Sequence, residues 1–252
     1  MTISVLQVVE SSVGSGVSAT TIVGNITVAS NGNSIDVYVA WDSTTSITIS
    51  STGVTSVPTY QWRYLGLAND ATNLQGLAHF VADGVQAGTV TVTATFSATT
   101  DFRGLCLKEI GDTSGSDSAA TSPIQNQQTP STTTDATTSG LATAISQQPI
   151  LLSGLSFNIL GTSVPAAGTG FTSDGTGWTF GATASGRFES KRIASTNSVA
   201  ATFTALNNVS HSSACVIFKE KIATVKLVGP RKVRRNRRWG GMSMGVDVRE
   251  WW

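Results

Sequence analysis

The stretch Val90-Thr91-Val92-Thr93-Ala94-Thr95-Phe96 alternates apolar and hydroxyl-bearing side chains along most of its length. Because neighbouring side chains of a β-strand point to opposite faces, this pattern predicts a strand with one buried and one solvated face. Glycine, asparagine and aspartate clusters separate such segments, as at 30–33 and 173–177. The same period recurs at 35–41, 46–49, 105–107, 198–203 and 215–218. The sequence therefore predicts an all-β protein of sandwich or jelly-roll type.

Composition supports the same fold class. Only 12% of the 252 residues are charged and 40% are hydrophobic, and β-branched residues are abundant. β-Branched side chains fit the pleated surface of a sheet better than a helix. Sandwiches of this length commonly fold as one domain, so we expect a single large jelly-roll-type β-sandwich.

An internal echo predicts that this sandwich has two similar halves. The segment 94–98 resembles the segment 201–205, and each is followed by a cysteine and then by a Lys-Glu pair. The further matching residues are Cys106 with Cys215, Lys108-Glu109 with Lys219-Glu220, and Phe80 with Phe188. Each half would then end in a similar pair of strands joined by a loop. Chance matching of Ala/Thr-rich strands is the alternative.

The chain divides into an acidic body and a basic tail. Residues 1–220 carry 7 Lys and Arg against 13 Asp and Glu, and residues 221–252 carry 9 against 2, so the net charges are −6 and +7. Residues 111–140 are almost wholly polar and cannot bury a core of their own. We predict a β-sandwich over 1–220, with 111–140 as a long surface connection, and a C-terminal docking arm over 221–252.

The arm combines basic and aromatic residues, the side chains that most often anchor protein interfaces. We expect it to dock on another subunit or on an acidic partner protein. Nucleic acid is a less favoured partner, since clustered arginine also neutralises phosphates, and an unused tail is the remaining alternative. The predicted docking residues are Arg231, Lys232, Arg234, Arg235, Arg237, Arg238, Trp239, Trp251 and Trp252.

Three aromatic residues, Tyr60, Trp62 and Tyr64, alternate along one segment and would share a face of a strand. Three large rings on one side of a strand commonly fill a sandwich core, which is the favoured interpretation. The alternative is a platform that stacks on the apolar face of a sugar. Trp41 and Trp178 lie in strand-like segments and are predicted to be packing residues.

Candidate chemistry is sparse. His79 and His211 have no Cys, Asp or Glu at metal-ligand spacing, so we expect both to be solvent-facing or loosely packed. Most aspartates, Asp36 and Asp174 among them, are assigned to turns, where the side chain bonds the local backbone. Cys106 and Cys215 are expected to be buried free thiols. We predict no catalytic residue, no metal and no cofactor.

The order of segments 3–7, 24–25, 87–96, 105–111 and 198–218 resembles the jelly-roll, lectin-like β-sandwich modules of bacterial surface proteins and phage structural proteins. This resemblance covers residues 3 to about 220 and implies the fold more than the role. Residues 221–252 lie outside it.

The resemblance, together with the arm, leads to a functional expectation. The chain is expected to be a non-enzymatic virion structural protein, such as a head-decoration, neck or tail-attached fibre subunit, assembled in the host cytoplasm. The start lacks a secretion signal and no apolar run is long enough to span a membrane. Its expected partners are other virion proteins or copies of itself. A carbohydrate-binding adhesin for host-surface glycan is the second hypothesis, and an enzyme acting on polysaccharide is the third.

Overall fold

The computed structural model describes the compact unit that ends at Ile222. The described residues are 2–14, 16–43, 45–53, 62–70, 75–116, 125–128, 136–138, 142–143, 149–159, 164–180, 184–194, 198–199, 201–204 and 211–222. All of the regular elements among them are β-strands, which confirms the predicted fold class. Nothing in this part of the chain forms a helix that could cross a membrane.

The first half of the unit is a sandwich of two antiparallel sheets. Sheet A has the strand order β1-β8-β3-β6-β5, and sheet B has the order β2-β7-β4. The strands are β1 (Ser4–Val13), β2 (Ala19–Val28), β3 (Asn33–Trp41), β4 (Ile47–Gly53), β5 (Arg63–Asp70), β6 (Gln75–Val85), β7 (Gly88–Thr100) and β8 (Arg103–Gly111).

The second half repeats this arrangement. Sheet C has the order β10-β19-β13-β16-β15, with β9 also paired to β19, sheet D has the order β11-β18-β14, and β12 pairs with β17. The strands are β9 (Thr113–Ser116), β10 (Gln125–Gln128), β11 (Ala136–Thr138), β12 (Ala142–Thr143), β13 (Ile150–Ile159), β14 (Ala166–Ala167), β15 (Thr172–Phe180), β16 (Ala184–Ile193), β17 (Ser198–Val199), β18 (Thr202–Thr204) and β19 (His211–Glu220).

Strand order shows the duplication directly. Sheets A and C have equivalent strand orders. The order β8-β3-β6-β5 in sheet A corresponds to the order β19-β13-β16-β15 in sheet C. Strands β2, β7 and β4 likewise correspond to β11, β18 and β14. In the first half β1 pairs with β8, β2 with β7, and β3 with β6, which is the nested wrapping of a jelly roll. The predicted two similar halves are confirmed, and each half is a sandwich of two sheets in its own right.

The halves pack through sheets A and C, so the sheets lie in the order B, A, C, D. Strand β3 shows why: Val37, Val39 and Trp41 point into the core between sheets A and B, whereas Tyr38 and Ala40 point into the core shared with sheet C. All nine residues of β3 are buried. The centre of the molecule therefore consists of two sheets that are covered on both faces.

The two tryptophans that the sequence assigns to packing lie in these cores. Trp41 and Trp178 are fully buried, as predicted. Cys106 and Cys215 are buried free thiols, also as predicted. The similarity of the halves extends to strands but not to every residue. Phe96 and Phe203 both lie in the core of their own half. Cys106, in contrast, lies in the core between the halves, and Cys215 lies in the core of the second half.

Candidate functional site

A groove opens in the first half between strands β4 and β5. In the nested wrapping of a jelly roll these two strands would pair, but here β4 pairs with β7 and β5 pairs with β6. Among the described residues, the space between the two strands has a volume of about 430 Å³. It is lined by Ser46, Ile47, Thr48, Ile49, Trp62, Tyr64 and Phe80.

Trp62 and Tyr64, two of the three alternating aromatic residues, line this groove. Tyr64 is 52% exposed, and its ring centroid lies 5.3 Å from that of Phe80 in a tilted arrangement. Trp62 is half-buried against the sandwich core and donates a hydrogen bond from Nε1 to Ser51 Oγ at 3.1 Å. Partial burial raises the pKa of the Tyr64 phenol. The core assignment is wrong for Tyr64 and holds only in part for Trp62, while Tyr60 lies outside the described residues.

No charged side chain occurs among the described residues that line the groove. The neighbouring Arg63 reaches away from it, with Nη2 3.7 Å from Asp83 Oδ2. The lining combines apolar surface from Ile47, Ile49 and Phe80 with residues that carry hydroxyls. Such a surface suits a ligand that is uncharged and has an apolar face and hydroxyl groups.

A buried polar cluster between sheets A and C is the second notable feature. His79 Nε2 and Asp36 Oδ1 lie 2.6 Å apart, and Ser153 Oγ donates to Asp36 Oδ2 at 2.6 Å. Tyr38 stacks on His79 with ring centroids 4.1 Å apart. Asp36 and His79 come from sheet A and Ser153 from sheet C, so this cluster ties the two halves together.

Lys108 lies at the centre of the cluster and is fully buried. Its Nζ donates to Ser153 Oγ at 3.0 Å, to Asp174 Oδ2 at 2.9 Å and to the carbonyl oxygen of Glu189 at 3.2 Å. Burial alone would lower the pKa of Lys108, but the carboxylates of Asp174 and Asp36 outweigh it and raise that pKa. The lysine is therefore held as a cation that crosses from sheet A into sheet C.

Glu189, on strand β16 of the second half, lies next to this cluster. Its carboxylate accepts the backbone N–H groups of Gly168 at 2.8 Å and Thr202 at 3.0 Å. Burial raises the pKa of Glu189 to about 7, although both N–H donors and Lys108 act in the opposite direction. The carboxyl group holds the loop before β15 and strand β18 against β16.

The cluster corrects two sequence-based expectations. His79 is neither solvent-facing nor loosely packed: it is fully buried and bonded to Asp36. Asp36 and Asp174 are not turn residues but lie in strands β3 and β15. The side chain of His211 is outside the described residues. The sequence does contain polar residues within apolar strands. They indicate a buried polar cluster only when sheets A and C are known to be buried on both faces.

The cluster is not arranged for hydrolysis. In a nucleophilic serine site the hydroxyl bonds to the histidine, whereas Ser153 bonds to Asp36 instead. Asp36, His79, Lys108 and Ser153 are all fully buried. Within the described residues, no group of His, Cys, Asp and Glu side chains is placed to hold a metal ion.

From residue 223 onward, the predicted docking arm lies outside the residues that the structure describes. This applies to Arg231, Lys232, Arg234, Arg235, Arg237, Arg238, Trp239, Trp251 and Trp252. Its role as a docking element stays a prediction.

Comparison with known proteins returns no match: no family model, no curated protein and no solved structure resembles the chain closely enough to be named. The class of protein follows from the fold alone. The compact unit belongs to the all-β proteins, as two jelly-roll sandwiches packed face to face.

Proposed function

We propose that the chain is a non-enzymatic structural protein of a phage-like virion, assembled in the host cytoplasm and anchored in the particle by its C-terminal arm. The observation that carries the proposal is the tandem jelly roll, an architecture used by viral capsid and lectin domains. Because function resides in particular sites rather than in the fold, the role is tested by incorporation into particles and by ligand binding.

The outer face of sheet B supports this assignment. Its exposed side chains are neutral: Thr21 and Thr27 on β2, Thr95 on β7, and Thr48 and Ser50 on β4. The inward-facing residues of the same strands are apolar. Val23 is an exposed apolar side chain on the same face. An outer layer made mainly of short polar side chains over a continuous core suits a subunit whose outer face meets water on a particle.

Deleting residues 230–252 is expected to leave the compact unit folded and to prevent stable incorporation into particles. Strands β1 to β19 all lie before the deletion. Incorporation and retention are measured by sedimenting particles made with full-length or truncated chain at 0.1 M and 1 M salt. Full-length protein should dissociate more at high salt, because the Debye length falls from about 10 Å to about 3 Å.

Replacing both Trp251 and Trp252 by alanine separates protein docking from binding to nucleic acid. An aromatic hot spot typically contributes about 2 kcal/mol or more, so retention should fall even at low salt. Replacing the five arginines among residues 231–238 by lysine keeps the net charge. This variant should still bind nucleic acid through its charge and serves as the comparison. Release by nuclease, or full retention of the tryptophan variant, would contradict docking on a protein.

Carbohydrate binding is the second candidate function, and the groove between β4 and β5 is the observation that favours it. Tyr64 presents an exposed ring beside Phe80, and uncharged residues line the space around it. The apolar face of a pyranose ring can stack on such a surface while its hydroxyl groups meet serine and threonine. The two functions are compatible, since an outer virion subunit can also recognise a host-surface glycan.

Tyr64→Ala is expected to weaken glycan binding about 30-fold, which corresponds to about 2 kcal/mol for a truncated aromatic contact. Tyr64→Phe keeps the ring and should retain most of the affinity. Leu6→Ala, which removes an exposed side chain of β1, is the control for loss of apolar surface elsewhere. The measurement is a glycan array followed by titration of the best ligand. The adhesin role fails if the full-length chain binds no glycan, or if Tyr64→Ala binds as tightly as the unaltered chain.

A further inference from the structure

Lys108 and Asp174 are held in contact where water does not reach. Nζ of Lys108 lies 2.9 Å from Oδ2 of Asp174, and the two side chains are 0% and 5% exposed. Lys108 comes from β8 in sheet A and Asp174 from β15 in sheet C. Because the amine and the carboxyl group are fixed side by side, the entropy of bringing them together is already lost.

Aromatic rings enclose the pair. Nζ of Lys108 lies 5.4 Å from the ring centroid of Tyr38 and 5.6 Å from that of Phe188. Both rings are fully buried. The ring faces are attracted to the ammonium group and hold its nitrogen in a fixed position beside the carboxyl group. Exclusion of water also protects an amide, once formed, from hydrolysis.

Hydrogen bonds on both sides hold the amine and the carboxyl group in place. Ser153 Oγ lies 3.0 Å from Lys108 Nζ and 2.6 Å from Asp36 Oδ2. Asp36 stands directly opposite Lys108 in the pairing of β3 with β8. On the other side, Ser190 Oγ donates to Asp174 Oδ1 at 2.8 Å. One oxygen of the Asp174 carboxyl group is thus fixed by a donor, and the other faces the lysine.

We propose that Lys108 and Asp174 condense to form an intramolecular isopeptide bond that joins the two halves of the molecule. The ammonium group passes one proton along its hydrogen bond to Oδ2 of Asp174, which leaves a neutral amine beside a protonated carboxyl group, and Nζ then attacks Cγ. The Nζ–Cγ bond forms, and the bond from Cγ to Oδ2 breaks. Oδ2 leaves as water with two protons from the lysine nitrogen, one received before the attack and one after it. The third proton stays on the amide nitrogen.

The reaction balances without any further reagent. An ammonium group and a carboxylate contain the atoms of one amide and one water molecule, and no oxidation or reduction takes place. Oδ1 becomes the amide oxygen and keeps its hydrogen bond from Ser190. Ser153 touches the reacting nitrogen, whereas Asp36 acts through Ser153 and is a positioning residue.

The bond would link residues 66 positions apart in sequence and would fasten sheet A to sheet C. A covalent link of this length restricts the unfolded chain, as a disulfide does. Unlike a disulfide, it is not broken by reduction. The inference concerns the compact unit alone and does not depend on the virion or glycan proposals.

The test is the intact mass of the denatured full-length protein. The expected mass is about 18 Da below that calculated from the sequence, owing to the loss of one water molecule. Fragmentation of a proteolytic digest should show a branched peptide that joins Lys108 to Asp174. A full calculated mass after prolonged incubation of the folded chain would overturn the proposal, and so would a branched peptide at any other lysine.

Variants make the assignment specific, each compared with its own calculated mass. Asp174→Ala and Lys108→Arg should show no loss of mass. Asp174→Asn should still react but lose about 17 Da, because ammonia leaves in place of water. Asp36→Asn should leave a larger unreacted fraction in a chain whose circular dichroism shows it to be folded. Unreacted wild type overturns the proposal whether or not any variant folds.

Discussion

Replacing Trp178 by alanine is expected to lower the free energy of unfolding by about 3–5 kcal/mol, the range for truncating a large buried aromatic side chain. Trp178 belongs to the core between sheets A and C and is 1% exposed. Its ring makes an edge contact with Phe188, with centroids 4.7 Å apart, and packs near Phe157 and Phe180. The cavity would lie at the junction of the two halves.

Trp178→Phe is the matched control. The indole Nε1 of Trp178 is buried without a hydrogen-bond partner among the described residues, so phenylalanine removes an unsatisfied donor and keeps most of the ring. The cost should therefore be much smaller than for alanine. Urea denaturation followed by tryptophan fluorescence and circular dichroism measures both. Equal losses for the two variants would mean that the ring does not pack as described.

Asp36→Ala should destabilise the fold by a similar amount, about 3–5 kcal/mol, as found when one member of a buried charged pair is removed. The substitution takes away the acceptor of both His79 and Ser153, and all three side chains are fully buried. Each group would lose a hydrogen bond that water cannot replace. Lys108 would also lose one of the carboxylates that raise its pKa.

Asp101→Ala is the control for loss of a carboxylate, since Asp101 is exposed and its partner Ser18 is exposed as well. Surface substitutions of this kind usually change stability by no more than about 0.5 kcal/mol. Thermal and urea unfolding of the two variants should differ clearly. A fully stable Asp36→Ala protein would show that the cluster does not hold the halves together.

The strands and their duplication could be predicted from the sequence because both depend on local patterns. Alternation in 90–96 identifies β7, and the echo of 94–98 in 201–205 identifies the equivalent strands β7 and β18. The assignment of individual residues to faces was harder. The echo pairs Cys106 with Cys215, yet the two thiols lie in different cores. Alternation shows which residues share a face of a strand, but not which layer that face contacts.

The polar cluster could not be predicted, because its members are far apart in sequence and meet only when sheet A packs on sheet C. An aspartate in an apolar strand, such as Asp36, can lie on a solvated face or on a buried one. The sequence does not decide between them, because it does not show that a second sheet covers this face. The exposure of Tyr64 has a similar origin. It follows from the pairing of β5 with β6 rather than β4, a choice that the alternation of Tyr60, Trp62 and Tyr64 does not encode.

The most direct test of the proposed role is the protein content of purified particles from cells that produce this chain. Particles banded on a density gradient are analysed by mass spectrometry, and intact particles are labelled with antibodies raised against residues 1–222. We predict that the chain is present in a fixed ratio to the other particle proteins and is accessible to antibody on the surface. Its absence from intact particles would contradict the assignment to a virion.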